Sequence, residues 1–126
     1  MLHEDVILLQ HILDAATDAV QFLDGRTVEE LHADRMRLFA IIRCLEVIGE
    51  AAGDLSPACR QQAHWIPWSG MIAMRNRLIH GYFDVDPVTV WHTVADRLPE
   101  LITHLKILSD AWNPDARFEP DRQNPP

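Results

Sequence analysis

Residues 69–83 read Ser-Gly-Met-Ile-Ala-Met-Arg-Asn-Arg-Leu-Ile-His-Gly-Tyr-Phe, and the rest of the chain is organised around them. At about 100° per residue, Met74, Leu78 and Tyr82 fall within about 60° of Met71. The four side chains form one apolar stripe, as an amphipathic helix requires. We therefore predict a helix from about Ser69 to Phe83 that packs through this stripe.

The polar residues of the same helix fall on different faces. Arg75 borders the apolar stripe, whereas His80 lies on the opposite side, directly above Asn76 one turn earlier. Asn76 could therefore donate or accept a hydrogen bond that fixes the imidazole ring. For Arg75 and His80 to act together, the long arginine must curl round the helix or a second copy of the chain must supply one of them. This geometry is a first indication of a homodimer.

The segment from Thr27 to Gly53 is predicted to be one long helix of roughly 25 residues, about 38 Å. Thr27 and Glu30 have the spacing of a capping box at its start. Gly49 inside this helix costs up to about 1 kcal/mol relative to alanine, so we expect another helix to cross closely there. Glu50 either faces solvent or pairs with an arginine of residues 75–82.

Further helices precede and follow these. Apolar residues recur at steps of three and four from Leu2 to Leu23, and again from Trp91 to Trp112, where Pro99 predicts a kink. Ser56-Pro57 starts a short helix, and Asp86-Pro87 starts the last one. The sequence thus predicts an all-α, up-and-down bundle of about four main helices plus a short helix in residues 1–112. The polar, proline-rich residues 113–126 are expected to be a disordered tail.

Composition bounds the function. The chain has 126 residues, the size of one domain, and a net charge of −8. That charge argues against a long basic surface for nucleic acids, and no DNA partner is expected, although a local basic cleft remains allowed. We expect neither a membrane span nor a signal peptide, and hence a cytoplasmic protein. Cys44 and Cys59 lack metal or redox spacing and are expected to be free, buried thiols.

The candidate catalytic residues are Arg75, Asn76 and His80, because only their segment combines a cation, an amide, an imidazole and a phenol within eight residues. Neither the histidines nor the cysteines have metal-ligand spacing, so no metal and no cofactor are expected. Arginine is always cationic and its planar fork suits phosphate oxygens, while histidine can transfer protons near neutral pH. Such a set suffices for metal-independent RNA cleavage by the ribose 2′-hydroxyl. Spacing alone leaves this role open, because an arginine and a histidine five apart often occur by chance.

Residues 75–82 resemble the RX4HXY motif of the HepT toxins, a branch of the HEPN superfamily. Three further stretches match that family in the same order: Ile48-Gly49-Glu50-Ala51, Ile66-Pro67-Trp68 and Val90-Trp91. The resemblance covers roughly residues 5 to 112. Four signatures in one order are far more specific than the motif alone.

The resemblance implies an all-α, HEPN-like homodimer whose RX4H residues meet at a cleft between protomers. It implies a metal-independent endoribonuclease that inhibits growth, with Arg75 and His80 catalytic and Asn76 at the motif's polar position. It also implies a partner, an MntA-like nucleotidyltransferase antitoxin that attaches AMP to Tyr82. Taken by itself, Tyr82 could instead be a core aromatic residue with its hydroxyl at the rim.

Two other functions remain open at this point. Some HEPN domains serve only as binding modules, so the chain could be a non-catalytic helical dimer that binds a nucleotidyltransferase partner or a nucleotide. The second alternative is a plain structural adaptor, but that hypothesis does not explain why Asn76 and His80 align on one helix face.

Overall fold

The computed structural model describes residues 2–81 and 85–112, and their regular structure is entirely helical. The helices are α1 (His3–Leu23), α2 (Val28–Ala33), α3 (Arg35–Asp54), α4 (Pro57–Gln62), α5 (Trp68–His80), α6 (Pro87–His92) and α7 (Leu98–Trp112). A π-helical turn, Thr93–Arg97, joins α6 to α7. The predicted all-α class is confirmed, while the tail of residues 113–126 lies outside the described residues.

The long helices pack side by side in the order α5, α3, α1, α7. α3 contacts both α1 and α5, and α1 also contacts α7. Their apolar stripes meet in one core, whose most deeply buried side chains include Ile12, Ile41, Val94 and Leu105. Consequently α5, which carries the central motif, is held mainly by α3.

α1 is long and apolar enough, by length and composition alone, to cross a membrane: it has 21 residues, and a window of 18 of them has a mean hydropathy of 1.3. In the folded chain its apolar side is part of the core. Ile12, Ala16 and Ala19 are completely inaccessible to solvent. Packing against α3 and α7 therefore accounts for the apolar composition of this helix.

The helix starts follow the sequence closely. The Thr27 hydroxyl accepts a hydrogen bond from the Glu30 amide at 3.1 Å, and the Glu30 carboxylate accepts one from the Thr27 amide at 3.0 Å. This is the predicted capping box. Ser56 and Asp86 cap α4 and α6 through their side-chain oxygens, and each is followed by a proline at the first helical position.

The prediction of one long helix from Thr27 to Gly53 is wrong, because the chain breaks at Asp34. The backbone of Asp34 is not helical (φ −113°, ψ 87°), and its carboxylate accepts a hydrogen bond from the Arg37 amide at 3.1 Å. Asp34 therefore ends α2 and caps α3. Leu31 and Leu38 are both buried on either side of the break, so the apolar spacing continues through it.

A π-helical turn, Thr93–Arg97, interrupts the α-helix just before Pro99, while the kink expected at Pro99 itself stays a prediction. In a π-helix the hydrogen bonds join residues five apart, which inserts an extra residue into the turn. α7 then begins at Leu98, so Pro99 falls in its first turn. The helix is continuous from the π-helical turn into α7, where the Leu98 amide donates to the Thr93 carbonyl, and Pro99 is the next residue, which has no amide to donate.

Asp5 joins the start of α1 to the start of α4. This carboxylate is only 2% exposed and accepts hydrogen bonds from the Ser56 amide at 2.9 Å and the Ser56 hydroxyl at 2.7 Å. Burial acts to raise the pKa of Asp5, but the hydrogen bonds from Ser56 outweigh it and the pKa lies below its ordinary value. The charged carboxylate is thus part of the packed structure.

Candidate functional site

α5 is anchored at its first residue. The Trp68 side chain is buried, and its indole Nε1–H donates to the Ala63 carbonyl at 3.0 Å. Pro67 lies just before the helix. The chain turns there, and the Trp68 amide donates a hydrogen bond to the Ile66 carbonyl at 2.8 Å. Towards the other end, Leu78 is buried against the core. The helix ends at His80 rather than near Phe83 as predicted, with Gly81 as the C-cap.

Gly49 is where α5 crosses α3 most closely. A Cβ atom at residue 49 would stand 2.2 Å from the Cβ of Arg75 and 2.5 Å from the Met71 carbonyl oxygen. Real Cβ contacts are essentially never that short, so this crossing requires glycine. The close crossing expected from the sequence is confirmed, and it brings the base of the Arg75 side chain onto α3.

Arg75 and Asn76 interact with each other. The Arg75 Nη1 donates to the Asn76 side-chain oxygen at 3.1 Å. The predicted hydrogen bond between Asn76 and His80 is wrong for the described chain, because His80 forms no hydrogen bond or ion pair there. The asparagine therefore steadies the guanidinium instead of the imidazole. Arg75 is half-buried and Asn76 is exposed.

His80 is exposed at the last position of α5. It lines a pocket of about 400 Å³ between the end of α5 and the start of α6, together with Arg77, Asp86 and Thr89. We call this the His80 pocket. Arg75 is not among its lining residues, so one protomer does not bring Arg75 and His80 into the same pocket. The opposed faces expected from the helical spacing are thus preserved in the structure.

Glu50 and Tyr82 were also named from the sequence, and of these the structure describes only Glu50. Glu50 is exposed, and none of the ion pairs formed by the described residues includes it, which agrees with a solvated glutamate. Tyr82 lies outside the described residues, so its proposed modification stays a prediction.

A second cavity lies beside the His80 pocket, between α5 and the α6–α7 segment, with a volume of about 430 Å³. We call it the α5–α7 groove. Its apolar side chains come from α3, α5, α6 and α7, and its basic side chains are Arg77, His92 and Arg97. Arg77 belongs to the motif of residues 75–82, whereas His92 and Arg97 were not singled out from the sequence, because the π-helical turn Thr93–Arg97 leaves no mark in the apolar spacing.

The described residues define the class as an all-α protein that presents an exposed histidine and a half-buried arginine on one helix. A sequence profile of the family described as "Ribonuclease HepT-like" matches residues 12–108. The chain belongs to this HepT-like family.

Relatives of known sequence support that assignment. "Putative RNase MJ1216" of Methanocaldococcus jannaschii is 36% identical over 108 residues, which cover 85% of this chain and 89% of the relative. "Putative RNase MJ0125" of the same organism is 38% identical over 81% of this chain and 89% of its own length. "Probable ribonuclease HepT" of Thermococcus cleftensis is 36% identical over 79% of this chain and 88% of its own length. No solved structure gives a significant match.

Proposed function

We propose that this protein is the toxin of a toxin–antitoxin pair, a homodimeric endoribonuclease of the cytoplasm that cleaves RNA without a metal. Its membership of the HepT-like ribonuclease family supports RNA as the substrate. The catalytic part of this proposal is supported by two positions in the motif. The base of the Arg75 side chain packs against Gly49, and His80 is exposed at an open pocket.

In the proposed reaction His80 takes the proton from a ribose 2′-hydroxyl. The 2′-oxygen then forms a bond to the adjacent phosphorus, the bond from phosphorus to the 5′-oxygen breaks, and the leaving 5′-oxygen takes up a proton from water, while His80 returns its proton to the solvent. The products are a 2′,3′-cyclic phosphate and a 5′-hydroxyl. Arg75 stabilises the charge that builds on the phosphate oxygens, as a planar guanidinium can.

Both groups are needed at one phosphate, and the single chain keeps them on different sides of α5. A homodimer solves this by pairing the Arg75 of one protomer with the His80 of its partner. Asn76 then has a supporting role, because its hydrogen bond at 3.1 Å limits the positions open to the Arg75 guanidinium. A proton-transfer group typically contributes about 10²–10⁴-fold in rate.

The proposed antitoxin is an MntA-like nucleotidyltransferase that transfers AMP from a nucleoside triphosphate to Tyr82. The phenolic oxygen forms a bond to the α-phosphorus and pyrophosphate leaves. Tyr82 follows His80 by two residues, so an added adenylyl group would obstruct the His80 pocket and repel RNA phosphates.

Cleavage of RNA in the presence of EDTA tests the function. Intact-mass spectrometry first establishes that Tyr82 carries no adenylyl group. Wild type should cleave, and His80→Ala should lose about 10²–10⁴-fold in rate while keeping its helical circular dichroism. His11→Ala, which removes an exposed histidine from α1, serves as the matched control and should cleave like wild type.

The alternative function is a non-catalytic helical dimer that binds a nucleotidyltransferase partner or a nucleotide. It predicts that unmodified wild type leaves several different RNAs intact while it binds a nucleotide saturably. Cleavage that survives in His80→Ala would contradict the proposed mechanism directly.

A further inference from the structure

The α5–α7 groove adjoins the His80 pocket. The two cavities share the side chains of Met74, Arg77 and Thr89. These three side chains stand at the border between the cavities, so a chain-like ligand held at His80 has to pass over them to reach the groove. The groove is also the larger of the two, at about 430 Å³ against about 400 Å³.

The groove has a charge bias opposite to that of the whole chain. The chain contains 19 acidic and 11 strongly basic residues, yet the described residues that line the groove include Arg77 and Arg97 and no carboxylate. Both arginines are exposed, and neither forms an ion pair or a side-chain hydrogen bond within the described chain. Two free guanidinium groups facing one cavity are suited to an anion such as phosphate.

The floor of the groove is apolar. Ile48 and Leu101 are buried beneath it, while Met71 and Met74 are half-buried along the α5 side. Methionine side chains are flexible and polarizable, and they adapt to flat aromatic surfaces. A cavity with an apolar floor and cationic edges suits a nucleotide, which has a flat base and a charged phosphate.

The π-helical turn determines which side chains reach the groove. Its backbone hydrogen bonds join residues five apart, and both His92, just before the turn, and Arg97, its last residue, line the groove. In an uninterrupted α-helix the same two residues would be about 140° apart. The extra residue thus turns Arg97 towards the cavity, and π-helical turns occur frequently at functional sites.

We propose that the α5–α7 groove is a subsite for RNA, which holds a nucleotide next to the one cleaved at His80. Arg97 and Arg77 contact its phosphates, and the methionine-lined floor contacts its base. The inference rests on the proposed ribonuclease function, because it assigns the groove to the same RNA strand.

The test measures binding rather than cleavage. All proteins carry His80→Ala, so that the RNA stays intact, and the probe is a fluorescein-labelled decaribonucleotide of mixed sequence followed by fluorescence anisotropy. Arg97→Gln should weaken binding roughly tenfold and lower the slope of log Kd against log salt by about 1 between 50 and 200 mM NaCl. Lys106→Gln is the matched control, since it removes one exposed positive charge from α7 outside the groove.

Equal effects of Arg97→Gln and Lys106→Gln would overturn the subsite, because they would mean that only the overall charge matters. An unchanged RNA affinity with an altered sedimentation coefficient in Arg97→Gln would also overturn it, and would assign the groove to a second copy of the chain. Inorganic polyphosphate of equal charge should displace the probe less well than unlabelled RNA. Equal displacement would contradict the contact with the base.

The outcome can be separated from that of the proposed function. If wild type cleaves RNA and Arg97→Gln binds RNA like the Lys106→Gln control, only the proposed role of the groove is contradicted. Wild type that leaves RNA intact, together with a specific loss of binding in Arg97→Gln, would sink the ribonuclease function and keep the groove as an RNA site.

Discussion

Gly49 of α3 lies directly against the base of the Arg75 side chain: a Cβ at residue 49 would be 2.2 Å from the Cβ of Arg75. The same added atom would meet the backbone of α5 at the Met71 carbonyl, 2.5 Å away. One missing methyl group therefore determines both how closely the two helices approach and where the arginine begins.

Gly49→Ala should push α5 away from α3. Overpacking of this kind costs about 1–3 kcal/mol in the free energy of unfolding, which outweighs the helix-propensity gain of up to about 1 kcal/mol. RNA cleavage should fall as well, because the displaced Arg75 no longer meets the phosphate. Urea unfolding and cleavage assays measure the two effects.

Gly53→Ala is the matched control on the same helix. A Cβ at residue 53 would lie 3.8 Å from the Ile72 side chain, an ordinary contact. This variant should keep full activity and be as stable as wild type or more so, by up to about 1 kcal/mol. Similar losses in Gly49→Ala and Gly53→Ala would refute the role of the close crossing.

Mixing two inactive variants tests whether the reacting pair comes from two protomers. Arg75→Ala and His80→Ala are each expected to be inactive. In an equal mixture that exchanges subunits freely, about half of the dimers contain one chain of each kind. Each such dimer keeps one intact Arg75–His80 pair out of two, so about a quarter of the wild-type rate should return. No recovery after verified exchange would place both groups on the same chain.

Asp5 should make stability depend on acid pH. Its pKa in the folded chain lies below the ordinary 3.8, because hydrogen bonds from Ser56 outweigh the effect of burial. Its contribution is therefore fully present above about pH 3.8 and is lost as the pH falls through the lower folded value.

Asp5→Ala should accordingly lower the free energy of unfolding at pH 7 by about 1–3 kcal/mol, since Ser56 is left with unpaired polar groups. The difference in the free energy of unfolding between Asp5→Ala and wild type should shrink as urea unfolding is repeated at successively lower pH values below about 3.8. A difference that stays constant down to pH 2 would contradict the assigned linkage.

Cys59 should be an unreactive thiol. Burial raises its pKa from 9.0 to about 11, with the nearby Asp5 carboxylate adding to the rise, and so lowers the thiolate fraction roughly 100-fold. In a Cys44→Ala background, where Cys59 is the one remaining cysteine, a disulfide reagent at pH 8 should label it slowly until urea unfolds the chain. Rapid labelling of the folded protein would contradict its burial.

Local signals in the sequence were sufficient for most of the fold. The caps at Thr27, Ser56 and Asp86 use only nearby residues, and each one appears as predicted. The break at Asp34 could not be read in the same way, because Leu31 and Leu38 are seven residues apart and remain in register across it. The break is marked instead by the Asp34 carboxylate, which accepts a hydrogen bond from the Arg37 amide at 3.1 Å, and apolar periodicity does not show such a cap.

Helical spacing also predicted one part of the candidate site and failed for the rest. Helical spacing correctly separated Arg75 from His80, because both lie on one regular helix. It failed for Asn76, since an arginine side chain is long enough to reach its neighbour at 3.1 Å, which periodicity does not describe. It also missed Arg97, whose orientation depends on the single extra residue of the π-helical turn.

The separation of Arg75 and His80 around α5 has a consequence for the cell. Under the proposed function a lone chain is harmless, since it carries both reactive groups but cannot bring them to one phosphate. At concentrations below the dimer dissociation constant, RNA cleavage then rises with the square of the amount of protein. Growth inhibition is expected to have a threshold, so that slow leakage of the gene product is tolerated while a modest burst of synthesis is not.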